Sequence, residues 1–160
     1  MTERTTVQSM LGATVAISAS LPATYNAAGY GATGMTYTTV GQVENFGNHG
    51  VKANVLTFTP VATGVINKLK GSKDYGQKAF VLGCLPSDSG QDLLRTASES
   101  TAHYSVKITY PLGEGEATGE IHYLDVLVSS FENQDGDVQN VRRVATTLEV
   151  CRAPVIVDAT

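Results

Sequence analysis

The sequence has no tryptophan, two cysteines and five prolines in 160 residues, and only 16% of its residues are charged. Each shortage closes off a class of protein. Sugar-binding grooves are lined with exposed aromatic rings. This chain has no tryptophan, and its seven tyrosines fall mainly on expected core faces or in the Tyr25–Tyr30 loop. Cys84 and Cys151 show no C-x-x-C spacing and sit in apolar strand contexts, so they read as two buried free thiols. No apolar run approaches the roughly 18 residues a spanning helix needs, and no membrane partner is expected. The amino end, Met1 to Met10, is polar and carries an acid, unlike a secretory signal, so folding in a cytoplasm is expected. Basic residues are few as well: 11 against 15 acidic, a net charge of −4. Phosphate recognition requires a concentrated cationic patch, so dedicated nucleic-acid binding is disfavoured.

Chemistry-bearing motifs are also missing. There is no G-x-S-x-G, no H-E-x-x-H and no P-loop, and the Gly-rich fragments lack a strand-to-helix context. Asp135-Gly136-Asp137 lacks the remaining ligand positions of a calcium loop. His49, His103 and His122 share no ligand spacing. No catalytic residue, metal ligand or cofactor is assigned, and an enzyme is not expected.

What the chain does have is β pattern. At 160 residues it is most simply one domain, 1–160, burying roughly 70% of its unfolded surface. His103 to Tyr110 alternates as a half-buried strand, and Glu114-Gly115 suits a two-residue hairpin loop. Residues then pair when their numbers sum to about 229, which sets Val106 opposite Tyr123, Ile108 opposite Ile121 and Lys107 opposite His122. A second turn at Asp135-Gly136 gives sums near 271, with Ile121 beside Val150, Tyr123 beside Leu148 and Leu127 beside Val144. Both hairpins sort the side chains alike. One face is apolar; the other collects Lys107, Thr109, Glu120, His122, Arg143, Thr147 and Glu149, with Val126 and Val128 breaking the polar rule.

Elsewhere, residues 1–12 read as an amino-terminal arm and Thr14 to Ala19 as a strand stopped by Pro22. Thr24 to Gly34 is a Gly-rich loop. Met35 to Asn45 and Val51 to Thr59 read as strands, with Leu56 and Phe58 meeting Val43 and Tyr37. Residues 61–77 read as a protruding loop with at most a short helical piece, carrying Lys68, Lys70, Lys73 and Asp74. Gln77 to Leu85 is a strand. Asp88 caps the one convincing helix, with Gln91 three residues on and Leu93, Leu94 and Ala97 as its apolar stripe. Residues 153–160 read as a short edge strand or carboxyl-terminal arm.

This order of parts, with Tyr25-Asn26-Ala27-Ala28-Gly29-Tyr30 and Lys68-Leu69-Lys70-Gly71-Ser72-Lys73-Asp74-Tyr75-Gly76 as its most telling stretches, resembles the major tail tube proteins of long, flexible-tailed bacteriophages over nearly the whole chain. The resemblance implies a mainly β (α+β) domain of two packed antiparallel sheets, sandwich- or barrel-like, with one flanking helix. It implies hexameric rings that stack head to tail into a hollow tube, through which double-stranded DNA passes on ejection. A tape-measure protein and terminator and tip proteins are the implied partners, and the virion tail, assembled in the bacterial cytoplasm, is the implied location. On that reading the polar face faces the lumen, and Lys68, Lys70, Lys73 and Asp74 form a ring-stacking loop. A tube subunit of a contractile, type VI-like secretion machine and a non-enzymatic β-sandwich binding module remain open alternatives.

Overall fold

The computed structural model describes residues 7–160, so residues 1–6 of the expected amino-terminal arm lie outside the described residues, and 7–13 form neither helix nor strand. Among the described residues the chain is mainly β, 42% strand and 10% helix, with one large antiparallel sheet, a second small sheet and two helices. The elements are β1 (Thr14–Ser18), α1 (Ala27–Tyr30), β2 (Thr38–Val40), β3 (Val43–Asn45), β4 (Lys52–Phe58), β5 (Asn67–Asp74), β6 (Gln77–Gly83), α2 (Ser89–Glu99), β7 (Tyr104–Thr109), β8 (Ile121–Gln134), β9 (Arg143–Val150) and β10 (Val155–Val157). The large sheet runs β2-β1-β7-β8-β9-β6-β3, with β10 added to β8, and among the described residues β4 and β5 pair only with each other.

The two ends of that strand path are consecutive in the chain, since β2 ends at Val40 and β3 begins at Val43. Three peptide steps span about 11 Å at most, so the sheet has to roll until its edges approach. The continuous strand expected over Met35 to Asn45 is thereby broken at Gly41-Gln42, where Gln42 adopts φ +58. The start of α2 seals the seam. The Asp88 carboxylate accepts from the backbone N–H of Gln91 at 2.9 Å, as a cap should, and from that of Gly41 at 3.2 Å. The Gln91 side chain does not complete a capping box. It donates instead to the carbonyls of Gly41 and Gly83, on the two sides of the seam, and accepts from Leu85 N–H. Leu94 and Ala97 then close the core inside the roll, where Val15, Ile17, Phe80, Leu82, Val106, Ile108, Leu124, Val126, Val128, Val144 and Leu148 are buried.

The expected registers are displaced. β7 and β8 pair at sums of 230, so Val106 faces Leu124 and Ile108 faces His122. One residue of slip exchanges the faces of a strand. On β8 the core residues up to Val128 are therefore the even ones, and Val126 and Val128, the misfits of the sequence reading, are core. β8 and β9 pair at sums of 276 to 277, Val126 with Val150 and Gln134 with Arg143, because residues 135–142 form a wide connection turning at Asp137–Asn140. A bulge between Val128 and Ser130 then reverses the parity, placing Ser130 beside Thr147 and Phe131 beside Thr146.

Two further expectations change. β3 pairs with β6, so Leu56 and Phe58 lie away from Val43, and residues 67–74 are a strand with no helical piece. Cys84 is half-buried and Cys151 exposed, because Cys151 leaves the β9 ladder for the bend into β10.

Candidate functional site

Two surfaces and two polar clusters stand out. The first surface is the β4–β5 ribbon. Its strands pair Leu56 with Leu69, Val55 with Lys70, Thr57 with Lys68 and Phe58 with Asn67. Alternation gives the ribbon an apolar face, Leu56, Phe58 and Leu69, and a face with Lys68 and Lys70. Among the described residues neither face is covered: Leu56, Phe58 and Leu69 are 56%, 61% and 60% exposed. The tip, where Gly64 N–H closes on Pro60 carbonyl at 2.9 Å, adds exposed Val61, Val65 and Ile66. Lys73 pairs with Ala53 at the root, and the Asp74 carboxylate accepts from Gly76 N–H at 2.9 Å. The sequence reading picked out the lysines here and missed the apolar face, although the Pro60–Gly64 turn between Phe58 and Leu69 is a hairpin signal.

The second surface is the sheet face turned away from the core, and the expected polar set does not stay together on it. Arg143, Thr147 and Glu149 share that face of β9. Arg143 forms a two-pronged pair with Glu44 of β3 at 2.5 and 3.2 Å; the hydrogen bonding holds the Glu44 carboxyl below its usual range. Glu149 accepts from Gln77 Nε2 at 2.7 Å. Lys107 and Thr109 lie on the same sheet face of β7, but the Tyr25–Tyr37 segment folds over that end. Tyr30 stacks on Tyr123 at 5.1 Å between centroids, and Lys107 Nζ lies 5.9 Å from the Tyr37 ring. His122 leaves the set altogether. It sits on the core side of β8 with its side chain 12% exposed, holding Glu120.

The first polar cluster lies beneath the Tyr25–Tyr37 segment. Asp125, 2% exposed, accepts from His103 Nδ1 at 2.7 Å and Arg152 Nε at 2.9 Å, while the Arg152 guanidinium stacks 4.0 Å from the Tyr25 ring. Cys151 brings its sulfur within 4.8 Å of the His103 and Asp125 ligand atoms. A cation here would compete with Arg152 for the carboxylate, and burial and the Asp125 charge push the Cys151 thiol up, away from the thiolate a metal needs. Charge pairing that pins the β9–β10 bend explains the cluster better.

The second cluster brings together two of the three histidines, which share no ligand spacing in the sequence. Lys78, on the core face of β6 and 1% exposed, puts its ammonium 3.1 Å from His49 Nδ1; His49 Nε2 lies 2.8 Å from His122 Nδ1, and His122 Nε2 reaches Glu120. Burial lowers Lys78 to about 8. Burial first, then the charges of Lys78 and His122, lowers His49 to about 4. Nothing in local sequence signals this meeting, because 29 and 73 positions separate the partners.

No protein-family model and no curated protein sequence matches the chain. Solved structures do. The sheath/tube terminator of the PVC extracellular contractile injection system matches 95% of this chain and 97% of its own at TM-score 0.69 and 9% identity. A chain of the anti-feeding prophage baseplate, solved with six-fold symmetry, matches 98% of each at 0.69 and 14%. The SPP1 tail tube matches 92% of this chain and 77% of its own at 0.61 and 15%. At such identities the likeness is one of fold, which this chain shares with the SPP1 tail tube and with chains of contractile injection systems.

Proposed function

We propose that this chain is a tube-forming structural subunit of the phage-tail type, with no catalytic role. Copies join into hexameric rings, and the rings stack head to tail into a hollow conduit for double-stranded DNA. The observation that carries the reading is the ribbon: Leu56, Phe58 and Leu69 line one face of an isolated two-stranded sheet and are more than half exposed. An uncovered apolar strand pair is an aggregation hazard in a monomer and a ready interface in an assembly. A second copy is the occupant that fits. The opposite face carries Lys68 and Lys70, while the whole chain is net negative at −4, so the ribbon is electrostatically complementary to its own kind.

Ribbon-to-neighbour contact is heterologous, and such contacts close into rings or run on as helical stacks. The six-fold symmetry of the anti-feeding prophage neighbour supports six as the ring number. Arg143, Thr147 and Glu149, with Lys107 and Thr109 at the covered end, would look onto the lumen, where a mixed-charge surface avoids trapping DNA. A tape-measure protein and terminator and tip proteins would bound the tube, within a virion tail assembled in the host cytoplasm. A second reading draws on the terminator and baseplate likenesses: a tube or tube-end subunit of a contractile injection machine, which neighbouring genes for a sheath would separate from a flexible-tailed phage.

Sedimentation at rising concentration, with negative-stain electron microscopy of the full chain, tests the proposal. Rings or tubes are expected. Leu56→Ser with Leu69→Ser, or Lys68→Glu with Lys70→Glu and Lys73→Glu, should suppress them while shifting thermal stability by no more than about 0.5 kcal/mol, as exposed sites do. A chain that stays monomeric at every concentration, even with tube ends added as initiators, would refute the tube. Unchanged tube yield in both variants would remove the ribbon's role.

A further inference from the structure

The Lys78–His49–His122–Glu120 cluster sits where both legs of the ribbon are rooted. His49 precedes β4, and Lys78 follows β5 at the start of β6. His122 belongs to β8, the strand that pairs with β7, β9 and β10. The ribbon's two roots are thus tied to the sheet, and to each other, through one line of polar groups, buried at Lys78 and half-buried beyond it.

The direction of that line is set by chemistry. An ammonium group only donates, so at 3.1 Å from Lys78 the Nδ1 of His49 accepts and its proton lies on Nε2. That proton is donated across 2.8 Å to His122 Nδ1, which leaves the His122 proton on Nε2 to bond the Glu120 carboxylate. With the lysine charged, this one placement of the histidine protons satisfies all three bonds. A proton added at His49 Nδ1 sets two cations face to face. A proton added at His122 Nδ1 sets donor against donor.

Other groups around the line do not relieve this. Tyr110, beyond the end of β7, has its ring 4.8 Å from His122; burial and the Glu120 charge raise its hydroxyl, so it stays neutral. Glu44 of β3 lines the same surface depression as Lys78 but is committed to Arg143. The Phe80 ring, 5.5 Å from Lys78 Nζ, accepts positive charge only weakly. Glu120 is the anion of the line and lies at its far end.

We propose that this line of hydrogen bonds is a pH-sensitive latch, closed near neutrality so that it fixes the direction in which the β4–β5 ribbon leaves the sheet, and opened by acid. The ribbon would then change orientation without the core unfolding. His49 held at about 4 against an ordinary 6.5 gives the sign. The latched form resists the proton and the open form takes it, so the stabilisation is complete above pH 6.5 and drains as pH falls from there towards 4. At about pH 4.5 the open population of the roots rises by between ten- and a hundredfold, since each unit of separation is worth about tenfold. The latch belongs to the single chain and holds whatever the ribbon docks on.

Amide hydrogen exchange of the full-length monomer from pH 7 to about 4.5, corrected for intrinsic rates, with imidazole nitrogen NMR, tests it. Expected are a loss of protection of that size confined to residues 46–52 and 74–78, steady protection in β7 to β9, and His49 as the Nε2–H tautomer titrating near 4. Lys78→Met, which removes a buried charge and nearly keeps the side-chain length, should move the His49 titration part of the way back up towards its ordinary value, burial still holding it down, and flatten the pH response of the roots. Three results would each overturn the latch: roots whose protection ignores pH, a His49 that titrates at its ordinary value, or equal loss across β7 to β9. A Lys78→Met chain with the wild-type response would remove lysine from the mechanism.

Discussion

Replacing Gly90 with alanine separates local propensity from tertiary packing, because the two demand opposite signs. Gly90 is the second residue of α2, and on helix propensity alone alanine there is worth up to about 1 kcal/mol of added stability. In the fold, a Cβ at this position would lie 2.3 Å from the Thr39 carbonyl oxygen and 2.6 Å from Val40 Cα. These are backbone atoms of β2 and cannot rotate aside, so helix or strand has to retreat by about an ångström, and overpacking of this kind costs about 1–3 kcal/mol. The retreat also lengthens the bonds from Asp88 and Gln91 that close the seam at Gly41 and Gly83, each worth about 1 kcal/mol. The expected net loss is about 2–3 kcal/mol, a fall in Tm of roughly 5–10 °C for a chain of this size. Urea unfolding followed by circular dichroism reads it directly. Gly34→Ala, where the added methyl meets open space, should be nearly neutral and serves as the control. A Gly90→Ala chain as stable as the parent would mean that α2 does not rest on β2 as described, and the sealed seam would fall with it.

The face assignment of β8 predicts that Leu124→Ala, at a position with no exposure, costs about 2–5 kcal/mol, whereas Leu127→Ala on the other face costs less than about 1.5; equal losses in urea melts, or the reverse order, would restore the register read from sequence. Asp125→Asn keeps the shape but sets an amide donor against one of the two donors, His103 or Arg152, that the carboxylate oxygens now serve, so a loss of about 2 kcal/mol is expected. Protease cleavage near Arg152 should quicken at the same time, and an unchanged melt with unchanged cleavage would show that the bend is held by something else.

Much of the architecture was legible before any coordinates. Alternation located the strands from His103 to Val150, and Asp88 marked the start of α2 to the residue. The face of β7 and β9 was also legible: Val106, Ile108, Val144, Leu148 and Val150 are all buried. The ribbon was half legible, since Val51 to Thr59 alternates plainly, but Gly64, Gly71 and Gly76 disguised its second strand as a loop. The strand-like span from Met35 to Asn45 concealed that its halves belong to opposite edges of the sheet. Of the candidate lumen set, Arg143, Thr147 and Glu149 stay together, Lys107 and Thr109 fall under a tyrosine-rich cover, and His122 and Glu120 move to the latch.

By itself, the amino-acid order determined most of the strands, the apolar sides of β7 and β9, the capped helix and the absence of catalytic motifs, because these depend on neighbours within a few positions. Tertiary structure alone decided the parity of β8, the rolling of the sheet, the uncovered face of the ribbon and the encounter of Lys78 with His49 and His122. A period of two carries no memory of its phase once a loop closes one residue later or a bulge is inserted at Ser129. Loop closure and bulges are settled by hydrogen bonds to strands far away in the chain, and so is the company a buried lysine keeps.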